Sequence, residues 1–71
     1  MLKDLRIGTE FYYVDMNNKK VRKCTIDNVL YQNPRKIYAT DNKTLETIVC
    51  YPEYECHPLT EYEQALKDIT E

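Results

Sequence analysis

Thr9 to Val14 reads Thr-Glu-Phe-Tyr-Tyr-Val, a run of β-formers preceded by Gly8, the only glycine of the chain. Side chains alternate between faces along a strand, so Phe11 and Tyr13 share one side and Tyr12 and Val14 the other. Both sets are apolar. That predicts a curved strand, buried on one side and partly covered on the other. Asp15 to Lys20 is polar and reads as a turn. Asn17-Asn18 tolerates positive φ where glycine is absent, so a two-residue hairpin turn is expected there, with Lys19 and Lys20 at or beside its tip. Val21 to Tyr31 is the longest β-stretch. Cys24 and Ile26 share one phase, and Val29 and Tyr31 share the other. The flip across Asp27-Asn28 predicts a bulge or sharp bend of the kind that turns a barrel corner.

Asn33-Pro34-Arg35-Lys36 reads as a turn with proline at its second position. Ile37–Thr40 is a short third strand, 41–43 a turn, and Thr44–Cys50 a fourth strand rich in β-branched residues. Residues 51–55 form a proline-containing loop. Cys56-His57 is a very short last strand. The period then changes. Thr60 and Glu63 have the spacing of a capping box, in which each side chain satisfies a backbone N–H at a helix start. Tyr62, Ala65, Leu66 and Ile69 follow at i, i+3, i+4 and i+7, one apolar face of a helix over 60–70. Tyr62, Leu66 and Ile69 are expected to be buried, so that Leu66→Ala costs about 2–5 kcal/mol.

Strands at intervals of roughly ten residues point to an antiparallel sandwich or barrel. The expected fold is mostly β (α+β): residues 1–71 form one small domain, a five-stranded antiparallel barrel or strongly bent sheet closed by one C-terminal helix. An open α+β sheet with the helix on one face is the alternative.

Length and charge narrow the function. Seventy-one residues lie near the lower limit for a domain folding alone. A homodimer is one way for such a chain to gain buried surface. The opening Met-Leu-Lys-Asp-Leu-Arg lacks the apolar run of a signal peptide, and no stretch is long and apolar enough to span a membrane. Three cysteines, an odd number, suit a reducing compartment better than a disulfide scaffold. A cytoplasmic location without membrane association is therefore expected. The net charge of −2 hides an asymmetry: residues 1–43 carry nine Lys/Arg against five Asp/Glu, whereas residues 44–71 carry Lys67 against seven acids. A near-neutral total argues against strong non-specific DNA binding.

Candidate chemistry is sparse. Cys24, Cys50, Cys56 and His57 are the residue types of a zinc site, but there is no C-x₂-C knuckle, and adjacent Cys56 and His57 would face opposite ways if extended. Cys50 and Cys56 flank a five-residue loop and could face each other across a hairpin. A single histidine with no third group and no glycine-rich oxyanion loop gives no catalytic constellation, so no catalytic residue, metal or cofactor is expected. Seven tyrosines against one phenylalanine favour contact surfaces, because tyrosine is rigid, amphipathic and enriched at protein interfaces. Tyr12, Tyr31, Tyr38, Tyr51 and Tyr54 are the candidates. Lys19, Lys20, Arg35 and Lys36 add basic character, but the two basic turns fall at opposite ends of the long second strand, which splits the patch.

Ile7 to Asp15, the charged hairpin before Val21, and the closing Leu59-Thr60-Glu61-Tyr62-Glu63 with Ala65 and Leu66 together resemble a group of small phage and prophage proteins. These are predicted or known as five-stranded barrels of the Src-homology-3-like type with a C-terminal helix. In that group a glycine precedes an aromatic strand, and a last strand runs directly into a Leu-Thr-x-x-Glu helix start. Pro58 departs from the pattern, standing where the group has a large apolar residue. The resemblance implies an accessory protein of a mobile element, typically a binder of host proteins, inhibitors of bacterial defence among them. The first expectation is thus a non-enzymatic module that binds a host protein. A nucleic-acid-binding small barrel is the second, resting on aromatics interleaved with basic residues. An oligomer holding a small nucleotide-like ligand between subunits is the third.

Overall fold

The computed structural model describes residues 2–70. Five strands form one antiparallel sheet: β1 (Glu10–Asp15), β2 (Lys20–Leu30), β3 (Lys36–Asp41), β4 (Thr47–Cys50) and β5 (Cys56–Pro58). Their order across the sheet is β4-β3-β2-β1-β5. A single helical turn, α1 (Pro52–Glu55), joins the two edge strands, and a 3₁₀ turn (Leu59–Glu61) leads into the C-terminal helix α2 (Tyr62–Thr70).

The register explains the faces. Phe11 lies opposite Cys24 and Tyr13 opposite both Arg22 and Cys56, while Ile26 faces Ala39, and Ile37 faces Cys50. These residues share one side of the sheet. With Leu2, Leu5 and Ile48 they make the core, against which Tyr13 and Val29 pack. Asp27 has no partner between the Ile26–Ala39 and Asn28–Tyr38 pairs. This is the expected bulge: the extra residue returns Val29 to the core side. The sheet bends so far that Cys50 and Cys56, on strands at its two edges, bring their sulfurs to 3.5 Å. The core face is therefore concave. Among the described residues no ladder joins β4 to β5, so the sheet is strongly bent and not closed.

The N-terminal segment seals the concave side. Leu2 and Leu5 are buried, and the Leu2 N–H donates to the Cys56 carbonyl at 3.0 Å. Gly8, at φ +92, lets the chain turn so that its N–H reaches the Ile26 carbonyl and the Thr9 carbonyl accepts from the Ile26 N–H.

Helix α2 lies on the convex side, chiefly against β1, β2 and β5. Val14 and Ala65 are buried there, outside the main core, and the Tyr12 and Tyr62 rings meet at 5.0 Å between centroids. Its apolar face is narrower than expected. Ala65 is fully buried and Ile69 half-buried, but Tyr62 and Leu66 stay 45% and 40% exposed. The burial of the helix thus centres on the small Ala65 and not on the larger residues of its apolar face. The capping box does not form either: residues 59–61 take a 3₁₀ turn, and Glu61 turns to His57 instead. His57 holds the helix down, with Nε2 2.6 Å from Asp68 Oδ2 and Nδ1 3.3 Å from Glu61 Oε1.

The hairpin turn also differs. Asp15 pairs with Lys20, leaving a four-residue loop in which Lys19, not asparagine, takes positive φ (55°). Asp15 organises it by accepting from the Asn18 backbone and side-chain amides at 3.2 and 2.9 Å. β4 starts later than Thr44 because residues 42–46 form a loop closed on Asp41, with Leu45 at φ 64. Among the described residues, no helix is long and apolar enough to cross a membrane.

This docking predicts an inversion of the obvious mutational order. Ala65→Leu should overpack the contact and cost about 1–3 kcal/mol, whereas Leu66→Ala should cost less than that, since Leu66 already lies partly in solvent. Urea unfolding of the two variants checks it.

Candidate interaction surface

Because α2 covers the β1, β2 and β5 part of the convex face, the outer side of β3 and β4 is left bare. Strand alternation puts Lys36, Tyr38 and Thr40 of β3 on that side. Tyr38 pairs with Val49 and Thr40 with Thr47. Val49 is 51% exposed and Tyr38 half-buried beside it. Tyr51 continues the line past Cys50. The Lys36 Nζ lies 5.5 Å from the Tyr51 ring centroid, within cation–π range.

The segment expected to be an irregular loop is instead the helical turn α1, for local reasons. Pro52 fits the first helical position with its preset φ and is buried, anchoring the turn. The Tyr51 carbonyl accepts from the Tyr54 and Glu55 N–H groups at 3.1 and 2.9 Å. The Glu55 carboxylate reaches back to the Tyr51 N–H at 2.9 Å. This fold-back pushes Tyr54 outward, 72% exposed, with its ring edge-on to Tyr51 at 6.4 Å. Arg35 donates from Nε and Nη2 to Glu53 at 3.2 and 3.0 Å, tying the β2–β3 turn to α1.

Of the residues singled out by sequence, Tyr38, Tyr51, Tyr54, Arg35 and Lys36 come together here. Tyr31 does not join them. It is 74% exposed and shares a hollow of about 270 Å³ with Leu5, Arg6, Ile7, Asn28 and Val29. Tyr12 does not join them either: it is half-buried against Tyr62 and borders the hollow around Lys20. Lys19 and Lys20 stand at the far end of β2, as expected.

Around Lys20 lies a larger hollow of about 570 Å³, bordered by Tyr12, Lys20, Val21, Lys23, Asn42 and Lys43. Lys20 and Lys43 have no ion-pair partner among the described residues. Lys23 lies 3.8 Å from Glu10.

Beneath this hollow is a polar network that sequence reasoning missed. Arg22, its side chain 9% exposed, donates to Asp41 at 2.5 Å, Glu46 at 2.8 Å, Thr44 at 3.2 Å and Asp15 at 3.4 Å. Burial alone would raise the Asp41 carboxyl. The Lys43 and Thr44 backbone N–H groups and the Arg22 guanidinium outweigh it and bring it down to about 2. Burial likewise acts to raise Asp15, but Asn18 and Arg22 bring it below the usual carboxylate range. The signal was present in the sequence: Arg22 is in phase with Cys24 and Ile26, a charge at a core position that requires buried acids.

The cysteines and His57 do not form one cluster. Cys50 and Cys56 touch on the concave side, Cys24 donates towards the Arg22 carbonyl at 3.8 Å, and the His57 nitrogens face Asp68 and Glu61 on the convex side. Among the described residues no three His, Cys, Asp or Glu side chains converge as a metal site would need.

Arg22→Ala should cost about 3–5 kcal/mol, because it strands buried carboxylates. Arg22→Met would leave the same carboxylates unpaired and should not rescue stability unless Asp41 is neutralised as well. Asp41 has a folded-state pKa of about 2 against an ordinary 3.8, so its contribution is complete above the ordinary value and lost as pH falls towards 2. Urea midpoints measured from pH 6 to pH 2 check both. Comparison with known protein families, curated proteins and solved structures finds no match to this chain.

Proposed function

We propose that the protein is a non-enzymatic binding module that engages another protein through the outer face of β3–β4 and the α1 turn. The observation that carries this reading is the row of Tyr38, Val49, Tyr51 and Tyr54, with Lys36 over Tyr51, on the half of the sheet that the helix leaves bare. Rigid aromatics beside a cation are the composition of interface hot spots. The resemblance to phage accessory proteins supports a host protein as the partner, with modulation or inhibition of a bacterial defence component as the outcome.

The test is a paired variant, Val49→Ser with Tyr54→Ser. Both side chains are mostly in solvent, so the thermal midpoint should stay within a few degrees. Capture of a stoichiometric host protein from a bacterial lysate should drop at least tenfold. Undiminished capture by a folded variant would refute the surface.

A second reading rests on the hollow beside Tyr12, where Lys20, Lys23 and Lys43 gather. A polyanion such as single-stranded nucleic acid suits such a basic groove with an aromatic wall. Oligonucleotide binding should then fall steeply with salt and disappear in Lys20→Ala/Lys43→Ala. Salt-insensitive binding, or none, removes this reading.

A further inference from the structure

The only sulfur–sulfur contact among the described residues joins the two edges of the sheet. Cys50 is the last residue of β4 and Cys56 the first of β5. Both are buried, at 0% and 2% exposure, and their sulfurs are 3.5 Å apart as free thiols. A disulfide needs about 2.0 Å between sulfurs. The remaining gap lies across a seam without backbone pairing, so closing it breaks no ladder hydrogen bond. Cys24 makes no comparable contact, its thiol being directed to the Arg22 carbonyl.

We infer that Cys50 and Cys56 are a dithiol–disulfide redox site, whose oxidation closes the seam of the sheet covalently and locks the α1 turn between them. The oxidant is a low-molecular-weight disulfide of the glutathione class. One cysteine, as thiolate, attacks a sulfur of that disulfide. A mixed disulfide forms, the original sulfur–sulfur bond breaks, and one small thiolate leaves and takes up a proton. The second cysteine loses its proton to solvent and attacks the protein sulfur of the mixed disulfide, releasing the second small thiol. Two protein thiols are thereby oxidised by two electrons, and one small disulfide is reduced to two thiols.

The hydrogen bond to Cys50 and burial push the Cys56 thiol far up, and both sulfurs are out of reach of solvent while the seam is shut. Exchange therefore requires the seam to open. The elements on the β5 side are short: β5 has three residues and α1 four. Tyr51 and Tyr54 lie inside the ring that the disulfide closes. Any effect of oxidation on partner binding rests on the surface proposed above, whereas the redox chemistry itself does not.

The test uses the full chain, fully reduced, held in glutathione buffers of rising oxidised-to-reduced ratio. Samples are quenched with acid, unfolded, alkylated, and weighed intact and after proteolysis. The expected product has lost about 2 Da, the two hydrogens of a disulfide. It takes one alkyl group, at Cys24, and yields a linked peptide containing Cys50 and Cys56. Cys24→Ala should keep the mass loss and Cys56→Ser should abolish it. If Cys24→Ala does not fold, the wild-type peptide map decides alone. Hydrogen exchange at the Tyr54 and Glu55 amides, both bonded to the Tyr51 carbonyl, should slow on oxidation. Three alkyl groups at ratios that oxidise a reference dithiol would overturn the assignment. So would glutathione adducts that never close the ring, or a link through Cys24. Each mass outcome is read without a partner, so failure of the proposed surface and failure of the redox site are separate results.

Discussion

Asp27 has no partner in the β2–β3 ladder, and the rest of the structure depends on the curvature that accompanies this extra residue. A sheet of five short strands has too little area to bury a core against a second layer. It has to wrap around its own side chains. β2 is long enough to pair with β1 over its first half, Lys20 to Thr25, and with β3 over its second, Cys24 to Leu30. The bulge lets that one strand change phase midway, so Cys24 and Ile26 before it and Val29 after it reach the same core. Were β2 to run regularly through Asp27 with no bulge, Val29 would face outward.

Curvature of this degree brings the two edges towards each other but supplies no pairing between them. The gap is filled with side chains. Cys50 and Cys56 meet at the seam, Leu2 and Leu5 seal the concave side, and buried Pro52 anchors the connecting turn. At the other end of β2 the core terminates in charge. Arg22 occupies a core-phase position, and the buried carboxylates of Asp15 and Asp41 neutralise it there. The carboxylates also hold the two adjacent loops through backbone amides, so one network fixes the hairpin tip, the β3–β4 loop and the floor of the basic hollow. Breaking such a network is costly because the groups left behind stay buried and charged.

The convex side shows how packing allocates surface between stability and contact. α2 docks through Ala65, with His57 held between Asp68 and Glu61, and covers only part of the sheet. The outer side of β3–β4 stays open. Tyrosine is suited to that position, since its ring tolerates partial burial and its hydroxyl tolerates water. The tyrosines therefore divide by location: Tyr12 and Tyr62 serve the helix contact, Tyr13 packs on the core, and Tyr38, Tyr51 and Tyr54 face outward.

The sequence by itself determined the elements whose signals are local. Alternation marked the strands, the phase flip at Asp27-Asn28 marked the bulge, and the 3.6-residue period marked the helix. It also paired Cys50 with Cys56 as candidates across a connection. Only the tertiary structure decided which positions on an apolar face are buried. Ala65 is fully covered and Leu66 only partly, a difference set by how the helix docks and not by the helical period. Only it decided that Thr60 and Glu63 leave their capping box unformed while Glu61 serves His57, a partner from β5. The gathering of Tyr38, Val49, Tyr51 and Tyr54 had the same origin. It depends on which strands adjoin in the sheet and on which half the helix covers, and both are set by long-range packing that no local pattern encodes.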